Sequence, residues 1–113
     1  MYLYTWTSFH YLTVPPVSVV ITLVGTPVLG QSYSLSCSVH GTDSLSPTST
    51  TYHWYNESNY PRSEVATTNV YTLTRLQPYH DGNYTCEVAV VSPYLNGDFN
   101  WSAMQEIIAQ SKF

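Results

Sequence analysis

Charge is scarce in this 113-residue chain, and positive charge is the scarcest: three Lys and Arg face seven Asp and Glu, for a net charge of −4. The cations are Arg62, Arg75 and Lys112, scattered along the sequence. A nucleic-acid binder displaces phosphate counterions with clustered basic side chains, so that class is excluded. A basic amphipathic segment for a membrane surface is missing as well. Val17 to Val24 is apolar, but it is short, follows Pro15 and Pro16, and falls far below the length of a membrane span. Residues 1–14, MYLYTWTSFHYLTV, lack a basic start and an unbroken apolar core, and so do not read as a signal peptide. The Lys, Glu, Ala and Arg of helix surfaces are thin, and abundant Ser and Thr suit strands better.

Cysteine is nearly absent too: Cys37 and Cys86 make one possible bridge. Three N-x-[ST] acceptor sequences accompany them, at Asn56, Asn83 and Asn100, whereas Asn59 is excluded because Pro61 holds the third position. An even cysteine count beside three acceptors points to the secretory pathway. The length suits one domain with a single core.

The dominant pattern has period two. Val17, Val19, Ile21 and Leu23 share a side of VSVVITL; Tyr33, Leu35, Cys37 and Val39 share a side of the next run, opposite a row of serines. Tyr52 and Trp54 point inward and His53 and Tyr55 outward in TYHWYN. Tyr71 and Leu73 go together, with Leu76 beyond a bend. In GNYTCEVAVV, Tyr84, Cys86, Val88 and Val90 point inward, with Asn83, Thr85 and Glu87 facing water. AMQEIIA forms a last strand of unresolved parity. Segments rich in Gly, Pro, Asn, Asp and Ser separate these runs, and Asn96-Gly97 is the strongest hairpin signal because a type I′ turn needs positive φ at both central positions. Six or seven short strands at this spacing predict an all-β sandwich or small barrel.

Three features coincide here: Leu35-x-Cys37 in one strand, Trp54 in the next, and Gly82-x-Tyr84-x-Cys86 in a later one. In this the chain resembles immunoglobulin-superfamily domains, over about Val17 to Gln110. The resemblance implies a Greek-key sandwich of two antiparallel sheets with about seven strands. It also implies a disulfide between Cys37 and Cys86, Trp54 packed on that bridge, and Tyr84 fixing the corner before the second cysteine. Leu35, Leu73 and Gly82 complete the expected core signature. The interval from Trp54 to Cys86 is too short for the two extra strands of a variable-type domain, so a C2-like or I-like arrangement is expected, with a short additional strand near Arg62–Thr67. The connection between Cys37 and Trp54 is long for the family. His80 stands where the family usually has Asp, with Asp81 after it.

Catalytic and metal chemistry find little support. His10, His40, His53 and His80 show no ligand spacing, and no nucleophile elbow or phosphate-cradling loop occurs. Asp43, Asp81 and Asp98 lack the dense acidic runs calcium favours. No cofactor and no enzymatic activity are expected. Aromatic loop residues remain: Tyr94, Leu95 and Phe99 around the last hairpin, and Tyr55 and Tyr60 near the third strand's exit, form the candidate partner surface. Trp101 is weighed as closing the core. Residues 1–14 align with the final strand, Trp6-Thr7 over Trp101-Ser102 and Leu12 over Ile107, and are expected to be a leader or the last strand of a preceding domain, with 15–113 as the immunoglobulin-like domain.

The expected function is an extracellular module of a multi-domain cell-surface protein that recognises another protein, in homophilic or heterophilic contact, beside neighbouring immunoglobulin-like domains and without inserting in the membrane. The alternatives are a structural spacer in a receptor ectodomain and an intracellular muscle-type module with reduced cysteines.

Overall fold

The computed structural model describes residues 17–58, 60–93 and 99–111. Seven strands follow one another: β1 (Ser18–Val24), β2 (Tyr33–His40), β3 (Ser49–Asn56), β4 (Ser63–Ala66), β5 (Val70–Leu73), β6 (Gly82–Val91) and β7 (Phe99–Ile107). They form two antiparallel sheets, β1-β2-β5 and β4-β3-β6-β7. The short additional strand is β4, and it joins β3. In the constant-type arrangement the fourth strand lies beside the fifth, so this chain departs from it.

Alternation along β2 and β6 builds the core. Leu35, Cys37, Trp54, Tyr84, Cys86 and Val88 are each no more than 1% exposed, and Tyr33, Leu73, Leu76, Val90 and Ile107 pack with them. Cys37 of β2 and Cys86 of β6 are bonded, with Cα atoms 6.4 Å apart, and this bond staples one sheet to the other. The indole N–H of Trp54 donates to the Thr68 carbonyl at 3.0 Å, so the largest core side chain hides no unpaired polar atom.

The corner before Cys86 has its own constraints. The Tyr84 hydroxyl donates to the His80 carbonyl at 2.6 Å, closing the turn that carries the 3₁₀ segment Pro78–His80 into β6. Burial pushes the Tyr84 phenol up to about 12, with smaller contributions from Tyr71 and Asp81. Gly82 has φ of +138°, and a Cβ there would run into the Ser58 hydroxyl. Serine can rotate away, but the backbone conformation is open to glycine almost alone.

After β1 the chain leaves the smaller sheet. Gly25 has φ of +81°, and beyond it Val28 pairs in parallel with Gln110, through Leu29 N–H to Gln110 C=O at 2.9 Å and Gln110 N–H to Pro27 C=O at 2.8 Å. Leu23 shares the side of Val19 and Ile21, opposite Leu35, and is 38% exposed because it ends an edge strand just before the chain turns away. One expectation, that Thr85 faces water, is corrected at this level. Thr85 is buried at 7% on a face expected to be wet, because Tyr55 and Met104 flank it across the sheet and its hydroxyl bonds the Glu57 carboxylate. The last strand starts earlier than AMQEIIA, at Phe99. Its parity turns Ile107 inward and leaves Met104 and Ile108 exposed. The Asn96-Gly97 turn lies outside the described residues, while β6 and β7 on either side pair antiparallel, Val90 opposite Phe99.

Replacing both Cys37 and Cys86 by Ala should lower stability by about 4 kcal/mol in urea unfolding, the chain-entropy value for cysteines separated by 49 positions. Tyr84→Phe should cost roughly 1–3 kcal/mol near neutral pH, since the His80 carbonyl loses its donor. The raised phenol of Tyr84 favours the folded state fully below the ordinary tyrosine value, and that advantage fades as pH rises from there through about 12. The phenylalanine variant should therefore lose less stability than the parent over this alkaline range, as followed by circular dichroism.

Candidate recognition surfaces

Pairing register places residues on the outer face of the larger sheet in cross-strand rows. Thr51, Ala89 and Asn100 form one row; His53, Glu87 and Ser102 the next; Tyr55, Thr85 and Met104 the third; Asn83 and Glu106 the last. Strand β4 adds Glu64 beside Tyr55, and the Glu64 carboxylate bonds Nδ1 of His53. Arg62, at the entrance to β4, folds back over this face. Its guanidinium lies 3.9 Å from the Tyr55 ring centre and reaches Glu57 at 3.2 Å and Glu87 at 3.5 Å. A planar cation on an aromatic face with a carboxylate on each side is a favourable use of Arg. Burial pushes the Tyr55 phenol up, and the Glu87 and Glu64 carboxylates add to this.

The acceptor asparagines Asn83 and Asn100 are exposed on this same face. Asn100 stands opposite Ala89, six residues along β6 from Asn83, which puts the two about 20 Å apart at ~3.3 Å per residue. Between them lie the Arg62–Tyr55 stack and Met104, which is 63% exposed. Asn56 sits elsewhere, at the end of β3, where its side-chain oxygen accepts the Ser58 N–H at 2.8 Å.

The candidate aromatics among the described residues do not gather into one patch. Phe99 is 38% exposed at the end of the sandwich where Val90 pairs with it. Tyr60 is 99% exposed in the turn between β3 and β4, at the opposite end. Tyr55 is half covered by Arg62. Tyr94 and Leu95 lie outside the described residues. Trp101 is half-buried against the core, opposite Val88.

His80 and Asp81 serve the corner. His80 Nδ1 accepts the Gln77 N–H at 2.8 Å, and an Asp81 carboxylate oxygen accepts the Ala109 N–H at 2.7 Å. Among the described residues no three His, Cys, Asp or Glu side chains converge as metal ligands, and no helix is long and apolar enough to cross a membrane.

Sheet order, cross-sheet disulfide, buried tryptophan and tyrosine corner thus occur together, and residues 12–89 match the family model described as the immunoglobulin domain. The chain belongs to the immunoglobulin domain family. No curated protein matches it. The family match ends inside β6, and the structure adds β7 as the immunoglobulin domain's closing strand.

Sequence reasoning missed the Arg62 stack. Its only trace was the parity of Tyr55 and Glu87, since the approach of Arg62 depends on how the turn after β3 returns. The Glu57 carboxyl is held below its ordinary value, first by the Thr85 hydroxyl and then by Arg62. A depressed carboxyl stabilises the fold above its unfolded value and loses that contribution as pH falls through the folded one. Thr85→Val should bring the Glu57 titration, read from its carboxyl carbon by NMR, up toward the ordinary glutamate range, and should flatten the acid limb of stability.

Proposed function

We propose that this immunoglobulin domain is an extracellular module of a multi-domain cell-surface protein and acts by recognising another protein, without catalysis. The single observation that carries the extracellular assignment is the joint placement of Asn83 and Asn100 in the open on one sheet face. Carbohydrate attached there would meet water and leave the core undisturbed. The Cys37–Cys86 bond agrees with an oxidising compartment.

An array of modules is supported by the path of the chain. β1 enters at Ser18, opposite His40, whereas Gln110 lies beside Val28, near the turn where Leu76 N–H donates to the Gln31 carbonyl and the Leu76 carbonyl accepts the Gly30 N–H. Entry and exit are at opposite ends of the sandwich, as end-to-end stringing requires. Residues 1–14, which lie outside the described residues, are read as a leader or a remnant of a preceding domain's last strand, and 15–113 as this domain.

A spacer role is the second reading, and the dispersal of Phe99, Tyr55 and Tyr60 favours it. Substituting Tyr94 and Leu95 separates the two. On the recognition reading, self-association or cell aggregation falls; unchanged behaviour in both assays supports the spacer.

Material from the native host should lose mass on treatment with an amide-cleaving glycosidase, with conversion of occupied Asn to Asp at position 83 or 100. The denatured, unreduced chain should show no titratable thiol. An unchanged mass together with two free thiols would overturn the extracellular assignment.

A further inference from the structure

The smaller sheet has an open edge. β5 pairs with β2 on one side, Tyr33 opposite Leu73 and Leu35 opposite Tyr71, and among the described strands none pairs with its other side. Asn69 C=O accepts the Cys37 N–H at 2.8 Å, so residues 69, 71 and 73 direct their backbone groups to β2. By alternation Val70 and Thr72 direct theirs away, and Thr74 follows just past the strand's end. The Val70 carbonyl is already taken by the Thr68 hydroxyl at 2.8 Å. The backbone groups of Thr72 remain available to start a ladder.

A cleft of about 510 Å³ runs along this edge, between Thr72, Thr74 and Arg75 on one side and Gln77, Tyr79 and His80 on the other. Its charge is distinctive. Arg62 is committed to Glu57 and Glu87, whereas Arg75 is exposed and has no carboxylate partner among the described residues. Because His80 Nδ1 accepts the Gln77 N–H, the neutral ring carries its proton on Nε2, as a donor. The Tyr79 ring, 76% exposed, tilts against His80 with centres 4.4 Å apart and supplies an apolar wall. The cleft offers a cation, N–H donors and a strand edge together. Asn83 and Asn100 lie on the outer face of the other sheet, away from it.

We propose that this edge binds an extended segment of a partner protein that carries a carboxylate: the segment pairs with β5 as an added strand and Arg75 pairs with its acidic side chain. A strand laid there occupies the place that the fourth strand takes in the constant-type arrangement. The complementarity is specific in sign, because a domain of net charge −4 repels acidic segments elsewhere. With four residues in the edge strand the contact is small, and it suits partners held together at several points. The inference deepens the recognition reading by naming the partner's chemistry, and its test involves neither glycosylation nor Tyr94 and Leu95.

The experiment is an ¹⁵N NMR titration of the full chain with a blocked five-residue peptide of alternating threonine and glutamate. Saturable shifts at the Thr72 and Thr74 amides are expected. Affinity should fall about fivefold in Arg75→Gln, the effect of losing roughly 1 kcal/mol of exposed ion pair, and equally when glutamine replaces glutamate in the peptide. N-methylating the peptide amides should abolish binding, and unchanged spectra elsewhere certify that the exposed Arg75→Gln variant is folded. No shift at these amides, equal affinity for Arg75→Gln, or equal binding of the N-methylated peptide would overturn the proposal. Shifts with sodium acetate that the peptide does not exceed would reduce the site to a simple anion contact and overturn it too.

Discussion

The bond between Cys37 and Cys86 with Trp54 packed in the same cluster is the constraint on which the rest depends. It joins the middle strand of the smaller sheet to an inner strand of the larger one, so neither sheet can slide without strain at its centre. The domain is small, and the total stability of such domains is on the order of 5–15 kcal/mol, so one crosslink of this kind is a large share. Trp54 extends the constraint outward. Its indole N–H holds the Thr68 carbonyl, and Thr68 belongs to the short crossing that carries the chain from β4 in one sheet to β5 in the other.

Positions set by the staple and by strand parity were legible in the sequence; positions set by neighbours from distant strands were not. Tyr84, Cys86, Val88 and Val90 alternate in GNYTCEVAVV and are all buried to within 1%. Their polar interleaves were legible only in part. Asn83 is exposed, but Thr85 is covered, because burial on a sheet face depends on what stands across from it, here Tyr55 and Met104. Leu23 keeps the parity of Val19 and Ile21 but sits on an edge with too little to cover it. The position of Arg62 over Tyr55 could not be read, since it rests on the return path of a turn.

Charge and carbohydrate acceptors are partitioned between the sheets. β1, β2 and β5 contain no Asp, Glu, Lys or Arg, whereas β4, β6 and β7 carry Glu64, Glu87 and Glu106. Asn83 and Asn100 join the charged side. The outer face of the smaller sheet is instead serine and threonine with valines at its margins, Val20 at 43% and Val70 at 41% exposed. Hydroxyl rows keep such a face wet without fixing charge on it. The two faces therefore differ in what they can meet: one is strongly hydrated and ionic, the other neutral and flat.

Both surface arrangements trace to one topological event, the placement of β4. Had Ser63–Ala66 paired with β5, Glu64 would not reach His53, and the outer row beside Tyr55 would end at β3. The edge beside Thr72 would then be filled. By joining β3 instead, the strand builds the ionic face and leaves β5 with one neighbour. The crossing of residues 67–69 then has to be short, and Thr68 secures it at both ends, its carbonyl to Trp54 and its hydroxyl to the Val70 carbonyl. That second bond closes one acceptor of the open edge and leaves the donor and acceptor of Thr72 facing the cleft, beside a cation with no partner of its own among the described residues.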